Sequence, residues 1–559
     1  MHVQVQSIDR RRRLAIIGAG SSGLISLKFA VEELHGWEIV AFERTDSVVG
    51  RWGRPYPGFV STSTKFTTQF ASFPKYGAGI NPDRIASKDE FFREGEYGDY
   101  LLAFAKEFQL TDKIRFRHNL HSIRWDETSR KWHLTIQSLA EDNSPLREEI
   151  FDAVIICSGV HGEPKPVGVD VPSISLTQLF QSDGLQEIRN RKVVVSGGGE
   201  SGVDHACRLA HPDLNNQVFL SLQSGIRVSP RYHPIRGVPS DFLRNRLLLS
   251  IHENLRNRIG QKFVELRIRY EETFQRLFPA GKPKSKEFSG GKSDCEKETL
   301  ARRKAWTLKL TQTAKDELFN MFHNKSDDFL EYVARGTIQI IGKPVNSKAK
   351  EFYEFQSDEK KLIEPDLIIP SVGFRSTLES SSNGTITLAD FYLGCQSVRF
   401  PNLFLVGFAR PIIGNIPTMS EMQAAYVVGL LSGRVLVDPN VADLHREELE
   451  IRKSRFSKLN QELVYPVEMF PYCDQLARLM NRYPTLWTLK SVRAWLQMQL
   501  APATTIHYFW HDPRSRRAID RIPIYMPVLL IALLLMMKPV DRVYRTVRWL
   551  KSMVVGVRR

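Results

Sequence analysis

Gly18, Gly20 and Gly23 form one G-x-G-x-x-G run, and Gly197, Gly199 and Gly202 form a second. In such a run the first glycine permits a tight turn. The second lets the backbone approach a pyrophosphate, and the third lets a helix pack closely on a strand. The pyrophosphate then lies at the helix N-terminus, where free N–H groups and the helix dipole favour negative charge. Ser22 and Ser201, inside the two runs, belong to the same candidate binding surfaces. Glu43 follows Gly23 by 20 residues, where a carboxylate can accept hydrogen bonds from a ribose with a free 2′-OH. That suits FAD or NAD. No acid stands at the matching place after the second run. The chain reads Ser221, Leu222, Gln223, Ser224, Gly225, Ile226, Arg227, with Arg231 close behind. Loss of the acid with arginines nearby is what a ribose 2′-phosphate requires. The first run is therefore expected to bind FAD. The second is expected to bind NADPH, with Gln223, Arg227 and Arg231 at the phosphate end.

The elements that must hold these residues follow from apolar periodicity. Residues 14–17 read as a buried strand, the helix pattern after it runs to Glu33, and 39–42 read as the next strand. Residues 193–196, a helix to Ala210 and 218–222 repeat the same unit about 180 residues later. Further strands are expected at 114–138, 151–156, 338–341, 367–370 and 403–406, with a helix from Ser420. The expected class is α/β, with two Rossmann-like dinucleotide-binding domains and a helical C-terminal extension. The FAD domain is discontinuous, 14–165 and 331–445. The inserted NADPH domain spans 190–330 and carries a helical, charged insertion at 240–325. Residues 281–298 are expected to form a loop, 446–520 a helical extension, and 522–559 an anchor segment with a basic tail.

Bulk composition narrows the function classes. The chain has 559 residues, 42% hydrophobic and 25% charged, which is ordinary for a large globular protein. Its formal net charge is +16, and about half of it sits at residues 9–13 and 541–559. No nucleic-acid motif accompanies that charge, so no nucleic-acid partner is expected. Cys157, Cys207, Cys295, Cys395 and Cys473 are scattered without a C-x-x-C pair. This fits free thiols and argues against a thiol–disulfide reductase. The N-terminal residues lack the apolar stretch of a secretory signal.

Several stretches, with the two glycine runs, resemble the flavin-containing monooxygenase family, including its Baeyer–Villiger relatives. Val49, Gly50, Arg51 and Trp52 look like its G-G-x-W element, and Arg51 and Trp52 are thereby candidate flavin-site residues. Residues 61–65 and 70–74 look like its S-N-x-x-K and F-x-D-F-P segment, and residues 326–338 like the stretch leading back to the FAD domain. Residues 366–374 look like its D-x-I-I-x-A-T-G strand. Residues 401–407, with 414–417 and 421–424, look like its late FAD-contacting element, which adds Gly407. The likeness runs from about 14 to 520 and is weakest at 240–325. It implies an FAD-, NADPH- and O2-dependent enzyme acting on a small organic substrate through a flavin C4a-hydroperoxide. N- or S-oxygenation is favoured. Thr62 stands where the family has a flavin-supporting Asn, and Gln223 where it has a phosphate-contacting Arg. The F-x-G-x-x-x-H linker is not recognisable, which counts against a Baeyer–Villiger enzyme. Thr62 leaves open an NADPH oxidase or reductase without productive oxygen transfer. A silent scaffold is the third alternative. His161 could approach cofactor, although a loop histidine there is the plainer reading.

Residues 522–537 carry no charge, yet as a helix they would span only about 24 Å of a roughly 30 Å hydrocarbon core. Arg542, Arg545, Arg548 and Lys551 then recur every three residues among apolar positions, a pattern suited to an anionic membrane surface. A C-terminal membrane anchor is expected, spanning or interfacial, with a cytosolic catalytic body. The resemblance points to the endoplasmic reticulum.

Overall fold

The computed structural model describes residues 11–53, 58–80, 87–141, 144–162, 164–174, 184–233, 237–277 and 294–556. Two mixed sheets organise these residues. In the first, strand Arg13–Ile17 lies between Glu38–Phe42 and Ala153–Ile156, parallel to both. Leu403–Leu405 extends the sheet in parallel on the far side of Ala153–Ile156. The five residues RLAII are buried from Leu14 onward, as a strand covered on both faces must be. Helix Ser21–Glu33 covers one face and packs on helix Ile416–Leu431.

The second sheet repeats the arrangement. Lys192–Ser196 lies between Gln217–Ser221 and Leu367–Pro370, again all parallel. Helix Glu200–Leu209 follows its central strand. Ile338–Pro344 pairs beyond Gln217–Ser221. In both sheets, the chain passes from the strand before the glycine run to a neighbour on one side, and a later strand joins on its other side. The crevice at its C-terminal end is therefore a switch point where open α/β sheets bind ligands.

Sheet pairing corrects one expected boundary. Strands Ile338–Pro344, Glu351–Glu354, Lys360–Leu362 and Leu367–Pro370 hydrogen-bond in the second sheet. The chain rejoins the first sheet only at Phe391–Tyr392, not at residue 331. Between Gln217–Ser221 and Ile338–Pro344 it passes through helices Glu253–Arg269, Glu271–Leu277 and Asp294–Gln312. Residues 281–293 of the expected loop lie outside the described residues, and from Asp294 the chain is helical. The five cysteines are all free thiols.

The C-terminal segment differs from a spanning anchor. Ile522 and Met526 are buried, and Tyr525 stacks on Phe242 and donates its hydroxyl to the Ala78 carbonyl. The helix starts only at Val528 and runs to Gly556. Its uncharged part ends at Lys538, so about 15 Å of apolar helix remains. No helix among the described residues is long and apolar enough to cross a membrane, which corrects the transmembrane expectation. Leu534 packs with Leu247, Ile251 and Met526, which holds the helix against the body.

Candidate functional site

The two glycine runs fold into matching cradles. Gly18 has φ +92° and Gly197 φ +115°, a region that glycine enters without cost. A Cβ on Gly18 would lie 2.8 Å from the Cys157 carbonyl oxygen of the neighbouring strand. A Cβ on Gly23 would overlap the Gly18 carbonyl oxygen, and one on Gly202 would overlap that of Gly197. The third glycine of each run is thus the point where helix meets turn. Above Gly20 the nearest atom to such a Cβ is Gly50 Cα at 3.6 Å, and above Gly199 nothing lies within 4 Å. Both helices start there, without a side-chain cap on Gly20 or Gly199. Their first N–H groups remain available for an anion.

Glu43 is buried and organises the first cradle. Its Oε2 accepts from Ala19 N at 2.8 Å, and its Oε1 accepts from Thr45 N at 3.0 Å and Thr45 Oγ1 at 2.9 Å. A carboxylate has about four acceptor positions, so capacity remains for a ribose hydroxyl. Ser22 Oγ meets Ser420 Oγ at 2.9 Å, and Gly407 must be glycine because a Cβ would overlap the Ser22 hydroxyl. Trp52 packs edge-on against Phe59 and Tyr97. The side chain of Arg51 lies outside the described residues. A dinucleotide with a free ribose hydroxyl fits this cradle.

Thr62 sits mid-strand in Val60–Thr64, half-buried. The strand is clamped from the second half of the molecule. Arg231 donates Nε to the Ser61 carbonyl at 3.0 Å and Nη2 to the Val60 carbonyl at 2.7 Å. Thr64 N donates to Asp241 Oδ2 at 3.2 Å, and Asp241 pairs with Lys325. Burial pushes the Asp241 carboxyl up, but Lys325 and Arg244 outweigh it and hold it below its usual range. The turn after the strand is fixed by Glu421, a fully buried acid that accepts from Ala71 N, Ser72 N and Ser72 Oγ at 2.6 to 3.0 Å. Burial raises its pKa, against the pull of those hydrogen bonds. Asp241, Lys325 and Glu421 were not among the sequence candidates. Glu421 was visible only as part of residues 421–424.

The phosphate end of the second cradle is not as expected. Arg231 spends its guanidinium on the two carbonyls above and on Asp327 at 3.2 Å. Arg227 is buried and donates Nη2 to the Asp316 carbonyl at 3.2 Å, toward Glu265, Asp316 and Glu317 rather than outward. Both arginines are thus turned to protein groups, against the expectation that they stand open at the end of Gln217–Ser221. Gln223 stays exposed just beyond that strand. The pyrophosphate seat itself fits a dinucleotide, with Ser201 in its first helical turn. His161 stands edge-on to Phe374 at 4.9 Å, which is the plainer of its two readings. No group of acids, cysteines and histidines among the described residues could hold a metal ion.

Comparison with known proteins agrees with this architecture. The family described as flavin-binding monooxygenase-like matches residues 11–289. Human flavin-containing monooxygenase 5 is 25% identical over 552 residues, covering 92% of each chain. Rabbit (Oryctolagus cuniculus) dimethylaniline monooxygenase [N-oxide-forming] 2 is 24% identical over 527 residues, covering 89% of this chain and 88% of its own. Among solved structures, S-allyl-L-cysteine S-oxygenase from Allium sativum aligns with TM-score 0.52 at 16% identity, over 91% of this chain and 93% of its own. A complex of OTEMO with FAD and NADP aligns with TM-score 0.55 at 16% identity, over 84% of this chain and 98% of its own. With paired cradles, a buried acid at the first and a whole-length likeness to these enzymes, the chain belongs to the flavin-binding monooxygenase-like family and is a flavoprotein monooxygenase working with FAD, NADPH and O2.

Proposed function

We propose that the enzyme transfers one oxygen atom of O2 to a soft nitrogen or sulfur centre of a small organic substrate. The observation that carries this reading is the likeness, over nearly nine-tenths of both chains, to an N-oxide-forming monooxygenase. When bound, FAD reduced by NADPH and exposed to O2 supplies the transferable oxygen. The chain's own residues supply position and dryness. Gly18, Gly20, Ser22, Gly23, Glu43, Trp52 and Gly407 would seat FAD; Arg51 is retained as a candidate from the resemblance. Gly197, Gly199, Ser201, Gly202 and Gln223 would seat NADPH. On this reading the FAD domain combines 14–165 with 391–445, and the NADPH domain runs from 190 to 370.

Thr62 would offer one hydroxyl toward the flavin where the family resemblance calls for an amide. Its hydroxyl makes no hydrogen bond among the described residues. That observation favours, as the second reading, an oxidase that releases H2O2. Anaerobic bleaching by NADPH, followed by O2 consumption with a thioether, separates the readings. Sulfoxide equal to the NADPH consumed supports oxygen transfer. H2O2 in that amount, with no sulfoxide, overturns it.

For the C-terminal helix the reading is interfacial attachment, with the catalytic body in the cytosol. Leu529, Leu533, Met536, Val540, Val543, Val547 and Leu550 recur at steps of four and three, and each is at least 44% exposed. This ridge runs outward while Arg545 and Arg548 turn back to Ser250 and Glu253. Arg542 stays exposed beside the ridge. Such a helix would lie in the headgroup region of an anionic membrane, the endoplasmic reticulum on the family likeness. The full chain is expected to sediment with phosphatidylserine vesicles. The double variant Leu533→Gln/Val540→Gln is expected to lose about 1.5–3 kcal/mol of that binding, from the apolar area no longer inserted. Equal sedimentation of both proteins would rule the attachment out.

A further inference from the structure

Residues 322–325 run between the two cradles, and two arginines face them without a hydrogen-bonding partner for their guanidinium groups. Arg410, in strand Ala409–Pro411 just after Gly407, stacks on the Phe322 ring at 3.8 Å. Its nearest carboxylate is Glu200 at 3.9 Å, beyond hydrogen-bond range. Glu200 itself opens the helix of the second cradle. Arg244 has its nearest carboxylate, Asp241, at 3.9 Å. Asp241 is already taken by Lys325 and Thr64 N. Lys325, three residues after Phe322, pairs with the same Asp241 that lies 3.9 Å from Arg244, so the two arginines approach one four-residue stretch from its two ends. The side chains of Arg410 and Arg244 are only 32% and 21% exposed.

Three cations against two carboxylates leave this cleft with a net positive charge. Each guanidinium carries five N–H donors. Each guanidinium keeps some contact with solvent and meets no protein acceptor within hydrogen-bond range among the described residues, so its donors stand open to an oxyanion that arrives with a ligand. The forks of both arginines suit a planar oxyanion better than a point charge. Neither residue belongs to a glycine run or to the strand of Thr62.

We propose that Arg244 and Arg410 form an anion seat between the two cradles, which takes one oxyanion of a ligand: the carboxylate of an acidic substrate or a phosphate of NADPH. The proposal rests on the monooxygenase reading and adds a charge requirement to it. If the substrate supplies the anion, the preferred nitrogen or sulfur compounds are carboxylic acids. If the coenzyme supplies it, the first half of the molecule grips the coenzyme of the second.

The test uses FAD-loaded wild type, Arg410→Gln, Arg410→Lys and Arg244→Gln. Equilibrium titration reads the affinity for NADP+, and calorimetry reads the affinity for 3-(methylthio)propanoate and for its methyl ester. Loss of charge-assisted hydrogen bonds is expected to weaken one probe at least tenfold in Arg410→Gln, with partial recovery in Arg410→Lys. A loss confined to the acid, with the ester unaffected, assigns the seat to substrate. A loss confined to NADP+ assigns it to the coenzyme. Arg410→Gln with both affinities within twofold of wild type overturns the seat. Flavin content reports folding, and if Arg244→Gln loses its flavin the more exposed Arg410 decides alone. Wild type that binds no NADP+ at all would instead sink the underlying function, a distinct result.

Discussion

Gly23→Ala is expected to purify colourless, with FAD affinity lowered on the order of 100-fold, whereas Gly202→Ala should stay yellow and fail to bleach with NADPH. The two variants make the same physical change in two places. A Cβ on Gly23 overlaps the Gly18 carbonyl oxygen, and one on Gly202 overlaps that of Gly197. In both cases the obstacle is backbone, so no side chain can rotate away. The helix must retreat from the turn, and its first N–H groups then leave the seat of the pyrophosphate. Overpacking of this kind costs about 1–3 kcal/mol. Taken wholly from binding, about 3 kcal/mol is roughly a 100-fold loss. Flavin absorbance after dialysis measures the first effect, and anaerobic stopped-flow reduction the second. Dithionite should still bleach Gly202→Ala, which shows that its flavin is intact. A Gly23→Ala protein that retains one FAD per chain after dialysis would disprove the assignment of the first cradle.

The contrast between glycines and arginines shows what a sequence of this kind reveals. The glycine runs are local: turn, strand end and helix start lie within six residues, and all three roles are written in that window. Glu43 is nearly as local, one strand further on. Arg227 and Arg231 stand near the matching strand end in sequence, but direction is a tertiary property. Arg227 turns inward toward the helical insertion, and Arg231 crosses to the carbonyls of Val60 and Ser61. The same distinction explains the boundary at residue 331. Strands at 338–341 and 367–370 were legible as strands, yet nothing in an apolar run states which parallel neighbour it will choose. The Asp241–Lys325 pair spans 84 positions, and Arg410 meets Glu200 across 210, so neither could be read from spacing. At the C-terminus the uncharged run was visible, but its first six residues precede the helix, and Tyr525 among them packs on Phe242 and Ala78. An apolar stretch shows what must be hidden from water without showing whether lipid or protein hides it.

Acid lability should follow in large part from His205 and His507, two of the histidines that the fold holds in neutral form. His205 is fully buried in helix Glu200–Leu209, and His507 is 3% exposed in the C-terminal helical layer. Burial lowers the pKa of His205 to about 4, and that of His507 to about 3, where the charge of Arg246 adds to the effect. Unfolded, each would titrate near 6.5. The folded values lie below the unfolded ones, so the stabilising contribution is complete above pH 6.5. It is lost as pH falls toward the folded values, because only the unfolded chain takes up protons in that window. Each group contributes about 1.4 kcal/mol per pH unit, and the pair about 3 kcal/mol per unit between pH 6.5 and about pH 4.5. That would consume a large share of an ordinary stability of about 5–15 kcal/mol within two pH units. Urea midpoints from pH 7.5 to 5 should therefore be level above pH 6.5 and fall steeply below it. In His205→Asn/His507→Asn the midpoint is expected to be lower throughout but to fall much less steeply from 6.5 to 5, the remaining slope coming from His323, whose pKa burial lowers to about 3. The slope, not the level, is the diagnostic quantity, because asparagine brings its own packing defects. An equal slope in the double variant would show that other groups govern acid unfolding.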